Sequence, residues 1–75
     1  MLLPDNIHPE LTVYYNGALV IEELKKKKKQ GFLELYRNLK DKYNMSVLMY
    51  VLCLDWLYLI DGAKVNDEGA VELCT

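Results

Sequence analysis

Few residues of this 75-residue chain are suited to catalysis or metal binding. His8 is the only histidine, and no other ligands cluster near it, although a metal site takes three or four. Cys53 and Cys74 stand far apart, which predicts two ordinary thiols in a reducing compartment. Glu22 and Glu23 lie in a charged segment that is unlike an acid–base site. The sequence therefore predicts a protein that is not an enzyme and holds no metal or cofactor.

Positive charge is concentrated in one lysine run. Five of the nine basic residues are consecutive: Lys25, Lys26, Lys27, Lys28 and Lys29. The run has two interpretations, a solvated loop at the end of a helix or a contact with phosphates or an acidic partner surface. The net charge of −2 argues against a domain that binds nucleic acid with its whole surface.

The most apolar stretch predicts a third helix, which runs from a cap at Ser46 to Gly62. Every residue from Val47 to Ile60 except Asp55 is apolar or aromatic, whereas a surface helix shows one apolar stripe. The helix is about 21 Å long, too short for a bilayer core of about 30 Å. The N-terminus lacks the basic region and apolar core of a signal peptide. We therefore expect a cytoplasmic protein.

Two further helices precede it. Thr12 is a candidate N-cap for a first helix from Val13 to Lys26, and Gly17 within it predicts close approach of another backbone segment. The second helix is the clearest pattern, with apolar residues on one face at helical spacing: Phe32, Leu35, Tyr36, Leu39 and Tyr43. A short turn at Asn44 then leads to the third helix.

After Gly62, a candidate residue for the end of the helix, the pattern alternates around a turn from Asn66 to Gly69 and predicts a β-hairpin. Met1 to Leu3 is a candidate short N-terminal strand. The order predicts an α+β fold: one small winged-helix-like domain over residues 1–75, with three helices followed by a hairpin as the wing.

The faces of the third helix follow from placing residues at 100° intervals. Asp55, its only charge, marks the outer face. Within about 60° of Asp55 lie five apolar or aromatic residues: Leu48, Val51, Leu52, Tyr58 and Leu59. The opposite side is assigned to the core: Met49, Tyr50, Cys53, Trp56, Leu57 and Ile60.

The outer face predicts a protein partner. Reading DNA would require Arg, Lys, Asn, Gln, Ser or Thr, and an acid facing the duplex would be repelled. Exposed apolar residues suit a protein interface, with Tyr58 as the natural anchor. Other arrangements remain open: the chain itself or a second copy could cover this face, or Asp55 could point inward and pair with Arg37 or Lys64.

Three stretches resemble a known family: LLPD at 2–5 with His8 soon after, LYRNLK at 35–40, and LDWLYLIDGA at 54–63. They resemble the small middle-component proteins of bacterial ABC-three-component systems, to which Lamassu is related in architecture. The resemblance implies a non-catalytic adaptor that bridges or regulates an SMC/RecF-like ATPase and an effector, often a nuclease, in anti-phage and anti-plasmid defence. DNA would be contacted indirectly, through the complex.

Two alternatives stand beside this function. One is a winged-helix DNA-binding regulator that acts through the lysine run and the wing. The other is a homodimeric interaction module that buries the third helix against its own copy.

Overall fold

The computed structural model of the protein describes residues 12–74. Its elements in chain order are α1 (Val13–Lys26), β1 (Lys29–Gly31), α2 (Phe32–Tyr43), α3 (Val47–Leu59), β2 (Ala63–Val65) and β3 (Ala70–Leu73). The strands form one antiparallel sheet in the order β1-β3-β2. The predicted α+β class, with three helices and a hairpin after the third, is confirmed.

Side chains form hydrogen bonds with main-chain groups at both ends of helix α1. The Thr12 hydroxyl accepts a hydrogen bond from the amide of Tyr15 at 3.1 Å, as expected of an N-cap. At the other end, the Gln30 amide donates to the carbonyls of Glu23 and Lys27, each at 3.0 Å. Gln30 is buried, and it satisfies acceptors that a helix terminus leaves unpaired.

The connection between α2 and α3 follows the predicted turn chemistry. Asn44 adopts a left-handed conformation with φ of 57°, and its amide donates to the Lys40 carbonyl at 2.8 Å. The Ser46 hydroxyl then accepts from the amide of Met49 at 3.1 Å. A left-handed residue and an N-cap separated by one residue therefore let two helices follow each other closely.

The end of α3 differs from the prediction by one residue. Asp61, rather than Gly62, adopts the left-handed conformation, with φ of 59°. The Gly62 amide donates to the Leu57 carbonyl at 2.7 Å and the Asp61 amide to the Tyr58 carbonyl at 3.2 Å, which is the Schellman pattern. Gly62 serves packing instead, because a Cβ there would lie 3.1 Å from a methyl carbon of Leu57.

The third strand of the sheet is β1, which the sequence did not predict. Its central residue Gln30 pairs with Val71 of β3, whereas the predicted strand at Met1 to Leu3 lies outside the described residues. Lys29–Gly31 contains no apolar residue, so apolar alternation could not reveal it. The strand exists because β3 offers it main-chain partners across the sheet.

The core joins all three helices to the sheet. Its buried apolar residues are Val20, Leu24, Leu35, Leu39, Met45, Tyr50, Cys53, Leu57, Ala63 and Val71. Tyr50 is the largest of them. The centroid of its ring lies 5.1 Å from the ring centroid of Phe32 and 5.2 Å from that of Tyr36. Its hydroxyl donates to the Phe32 carbonyl at 2.6 Å, so the core contains a polar group with a partner, as burial requires.

Helix α1 packs against α3 through an aromatic contact. The Trp56 ring lies over Gly17, where a Cβ would stand 2.7 Å from the indole Cζ3. Tyr14 meets the same ring edge to face, with centroids 5.2 Å apart. The prediction that a backbone segment approaches Gly17 is wrong, since a side chain fills that space. No helix within residues 12–74 combines the length and apolar character needed to span a bilayer.

Candidate functional site

Asp55 and the five residues predicted around it all lie at the surface of α3, and we call them the α3 strip: Leu48, Val51, Leu52, Asp55, Tyr58 and Leu59. Exposure of its five apolar members runs from 47% for Leu52 to 74% for Leu59. Such an exposed apolar cluster is unusual for a surface that stays in water. Its role in binding a partner stays a prediction.

The opposite side of α3 packs inward. Tyr50, Cys53 and Leu57 are buried, and Met49 and Trp56 are half-buried. Ile60 was also assigned to the core, and that assignment is wrong because its side chain is 53% exposed. The helix ends at Leu59, so the 100° rotation that placed Ile60 inward no longer applies at that residue.

A groove runs along one edge of the strip, with a volume of about 310 Å³. Helix α3 contributes four lining residues, β2 contributes three and α2 one: Val51, Leu54, Asp55, Tyr58, Ala63, Lys64, Val65 and Phe32. No pattern in the sequence signals this groove, because the groove depends on how the hairpin folds back onto α3. The strip is therefore a ridge beside a groove, a shape that can receive side chains from a partner.

Asp55 is the charged centre of the strip and has no compensating contact. Within residues 12–74 its carboxylate makes no ion pair and no hydrogen bond. The two cations considered from the sequence do not reach it: Lys64 lies 3.5 Å from Glu72, and Arg37 makes no ion pair in the described part of the chain. The alternative of an inward, paired Asp55 is therefore wrong, since the residue is exposed.

The lysine run is neither a free loop nor an uncompensated patch. It ends α1, turns, and continues into β1. Four of its lysines lie near carboxylates: Lys25 at 3.8 Å from Glu22, Lys26 at 3.7 Å from Glu23, Lys27 at 3.4 Å from Glu34 and Lys29 at 2.9 Å from Glu68. Apart from the pair with the buried Glu23, both partners are exposed, and such pairs add little stability. They do reduce the charge that the run presents to other molecules.

The shortest of these pairs shifts the pKa of both partners. The hydrogen bond from Lys29 to Glu68 raises the pKa of the lysine and lowers the pKa of the carboxyl group. The pair joins β1 to the turn between β2 and β3. Both groups are therefore held in their charged forms near neutral pH.

The adjacent carboxylates Glu22 and Glu23 have different surroundings. Glu22 is exposed beside Lys25, whereas the Glu23 side chain is 6% exposed and lies 3.1 Å from the ammonium of Lys42. Lys26 approaches the same carboxylate. Glu23 thus connects α1 to α2, and the two acids do not face a common space.

The two cysteines are free thiols. Cys53 is buried in the core, where it approaches the Val13 carbonyl at 3.8 Å, and burial raises the pKa of its thiol to about 11. A thiol held neutral in this way is a poor nucleophile and a poor metal ligand. Among residues 12–74 there is no group of three His, Cys, Asp or Glu side chains placed to hold a metal ion.

Comparison with known proteins identifies the family. Residues 3–74 match the family model for Middle Component 6 of the ABC-three component (ABC-3C) systems. No match was found among curated proteins or solved structures. The family match covers nearly the whole chain and confirms the resemblance drawn from its three sequence stretches. The chain belongs to the Middle Component 6 family of ABC-three component systems.

Proposed function

We propose that this protein is a non-catalytic, cytoplasmic adaptor that binds the other subunits of its ABC-three component system through the α3 strip. The observation that carries the proposal is the exposure of five apolar side chains around one acid on α3. Family membership supports a role as one component of a multi-subunit system. The partners would be an SMC/RecF-like ATPase and an effector such as a nuclease, assembled for defence against phages and plasmids.

The energetics favour a partner for this surface. Covering an apolar side chain of this size contributes about 1.5–3 kcal/mol before the cost of ordering the interface. Tyr58 is 64% exposed and Leu59 is 74% exposed, so most of their surface remains to be covered. A tyrosine beside a groove is a typical anchor of a protein interface. The strip can therefore supply a large part of a stable association.

The fold supports an interaction role as well. The order α1-β1-α2-α3-β2-β3, with β1 and β2 on either side of β3, is typical of a winged helix. We interpret the chain as one such domain, in which α3 takes the position of a recognition helix. Its surface lacks the polar and basic side chains that read DNA. A helix in that position can present an apolar surface to a protein instead.

The main alternative is a DNA-binding regulator that uses the lysine run and the hairpin. Neutralising phosphates requires cations that are free to replace counterions. Lys27 lies 3.4 Å from Glu34 and Lys29 lies 2.9 Å from Glu68, so binding DNA would have to break these pairs and expose the acids to phosphate. The charge arrangement therefore favours the adaptor.

Co-purification tests the adaptor. The chain is expressed with the proposed ATPase and effector subunits, and complex yield is compared for wild type, Leu52→Asp and Tyr58→Asp. Both side chains are exposed, so the variants are expected to fold with unchanged circular dichroism and to lose the complex. Leu33→Asp is the matched control, because Leu33 is 68% exposed but lies on α2.

A normal yield of complex from both strip variants would refute the proposal. For the DNA-binding alternative, the five lysines are replaced by glutamine and affinity for duplex DNA is measured against salt concentration. A regulator would show affinity that falls steeply with salt and is lost in the glutamine variant. The adaptor is expected to show neither effect.

A further inference from the structure

The strip has the spacing of a helix-pairing seam. Leu48, Val51, Asp55 and Tyr58 follow one another at intervals of three, four and three residues, as positions a, d, a and d of a heptad do. Leu52 and Leu59 each follow a d position and widen the seam on one side. All six side chains are exposed along a single helix. This spacing matches the ridge that a second α-helix packs against.

Asp55 occupies an a position of that seam, where a packed helix would cover it. The carboxylate has no ion pair or hydrogen bond within residues 12–74, and its neighbours on the strip are apolar. Removing such a charge from water is costly unless the partner supplies a cation or hydrogen-bond donors. A polar group at one a position also selects the register and identity of the partner helix. The seam thus requires a cation or donor from the helix that covers it, and a basic group supplies both.

A second copy of this chain does not meet that requirement. A symmetric pair of α3 helices would bring two Asp55 carboxylates into one apolar contact, and the strip itself contains no cation. Among the residues that line the adjoining groove, Lys64 is the only cation, and its ammonium lies 3.5 Å from Glu72. Charge complementarity therefore favours a different protein.

We propose that the α3 strip binds an amphipathic helix of another protein that carries an arginine or lysine opposite Asp55. The proposal rests on the adaptor function and specifies the chemistry of the partner. Apolar side chains of the bound helix pack on Leu48, Val51 and Tyr58. Its basic side chain forms an ion pair with Asp55, and this pair fixes the register of the two helices.

Designed peptides test the charge requirement directly. Three fluorescent helical peptides of roughly 21 residues carry the same leucine seam and differ at one central seam position, which is Arg, Met or Glu. Binding to the full chain is measured by fluorescence polarisation. We expect the Arg peptide to bind about tenfold tighter than the Glu peptide, with Met between them. In Asp55→Asn, a variant of nearly the same shape, we expect this preference to shrink to about twofold or less.

Three results would overturn the proposal: equal binding of the Arg and Glu peptides, an unchanged preference in Asp55→Asn, or no binding of any peptide up to its solubility limit. Sedimentation of the isolated chain provides a second measurement. Wild type is expected to be a monomer, and Asp55→Leu to self-associate because the repelling charges are gone. A stable wild-type dimer that Leu52→Asp dissociates would show that the seam pairs with its own copy, which also contradicts the proposal.

The same variants separate this inference from the adaptor function. If Tyr58→Asp abolishes co-purification while Asp55→Lys leaves it intact, the adaptor function stands and the charge requirement fails. If Tyr58→Asp and Leu52→Asp both leave the complex intact, the adaptor function itself fails. We expect Tyr58→Asp, Leu52→Asp and Asp55→Lys each to lose the complex. Asp55→Asn is expected to weaken the complex less than Asp55→Lys does.

Discussion

Replacing Gly17 with alanine tests the contact between α1 and α3. A Cβ at this position would lie 2.7 Å from Cζ3 and 2.9 Å from Cε3 of Trp56, whereas carbon atoms in favourable contact are about 3.5–4.0 Å apart. The indole must therefore move by about 0.8 Å. The indole is a rigid ring that also contacts Tyr14, at a centroid distance of 5.2 Å. The clash cannot be relieved by rotating a flexible chain end.

Two opposing contributions determine the size of the effect. Glycine in a helix interior costs about 1 kcal/mol relative to alanine, so the substitution gains that amount from helix propensity. Overpacking of a fixed contact costs about 1–3 kcal/mol. We expect a net destabilisation of about 1 kcal/mol for Gly17→Ala in wild type. In a Trp56→Leu background, where the ring is absent, the same substitution should stabilise by about 1 kcal/mol.

The assay is urea unfolding followed by circular dichroism, because Trp56 is the only tryptophan and its fluorescence is lost in one background. Four proteins complete a double-mutant cycle with an expected coupling of about 2 kcal/mol between the two positions. Ala18→Gly, at an exposed neighbouring position of the same helix, calibrates the propensity contribution. A coupling below about 0.5 kcal/mol would refute the close contact of Gly17 with the indole.

Four further predictions concern buried polar groups and the two cysteines. Tyr50→Phe removes the 2.6 Å hydrogen bond to the Phe32 carbonyl and should lower the free energy of unfolding by about 1–3 kcal/mol in urea titrations. Gln30→Ala leaves two main-chain carbonyls at the end of α1 without their donor, and a loss of about 1–3 kcal/mol is expected there too, whereas no loss would contradict the buried contact. At pH 8 the half-exposed Cys74 should react with a disulfide reagent within minutes, while Cys53 reacts only as fast as the domain unfolds. Burial raises the pKa of Cys53 from 9.0 to about 11. The neutral Cys53 thiol therefore contributes fully to the free energy of unfolding below pH 9, and this contribution is lost as pH rises towards 11. A free energy of unfolding that stays constant over this range would count against the burial of Cys53.

The parts of the fold that sequence predicted are those set by neighbours along the chain. Thr12 and Ser46 were recognisable as caps because a hydroxyl can reach an amide three residues later, and both contacts are present. The outward side of α3 was recognisable because a single acid in an otherwise apolar helix marks the face that is exposed to solvent. Asp55 and its apolar neighbours are exposed as that reasoning requires.

The missed features depend on contacts between distant residues. Strand β1 carries no apolar alternation, and it is defined by pairing with β3 about forty residues later in the chain. One pair of the lysine run is similar, since Lys29 meets Glu68 across the sheet, whereas the pairs with Glu22 and Glu23 are local to α1. The groove requires β2 to lie beside α3. Ile60 was misplaced for a local reason, because its position assumed a helix that had already ended.

The sheet has two outer strands, β1 and β2, and each offers one row of main-chain groups that no other strand within residues 12–74 uses. Such an edge is a template on which a strand from another molecule can add, and lysines oppose this because addition would desolvate them. Lys29 lies in β1 and Lys64 in β2, and both are exposed. Both edges are thus guarded against intermolecular strand addition and aggregation. If the α3 strip binds a partner as proposed, the lysines of both outer strands keep strand addition from competing with that contact.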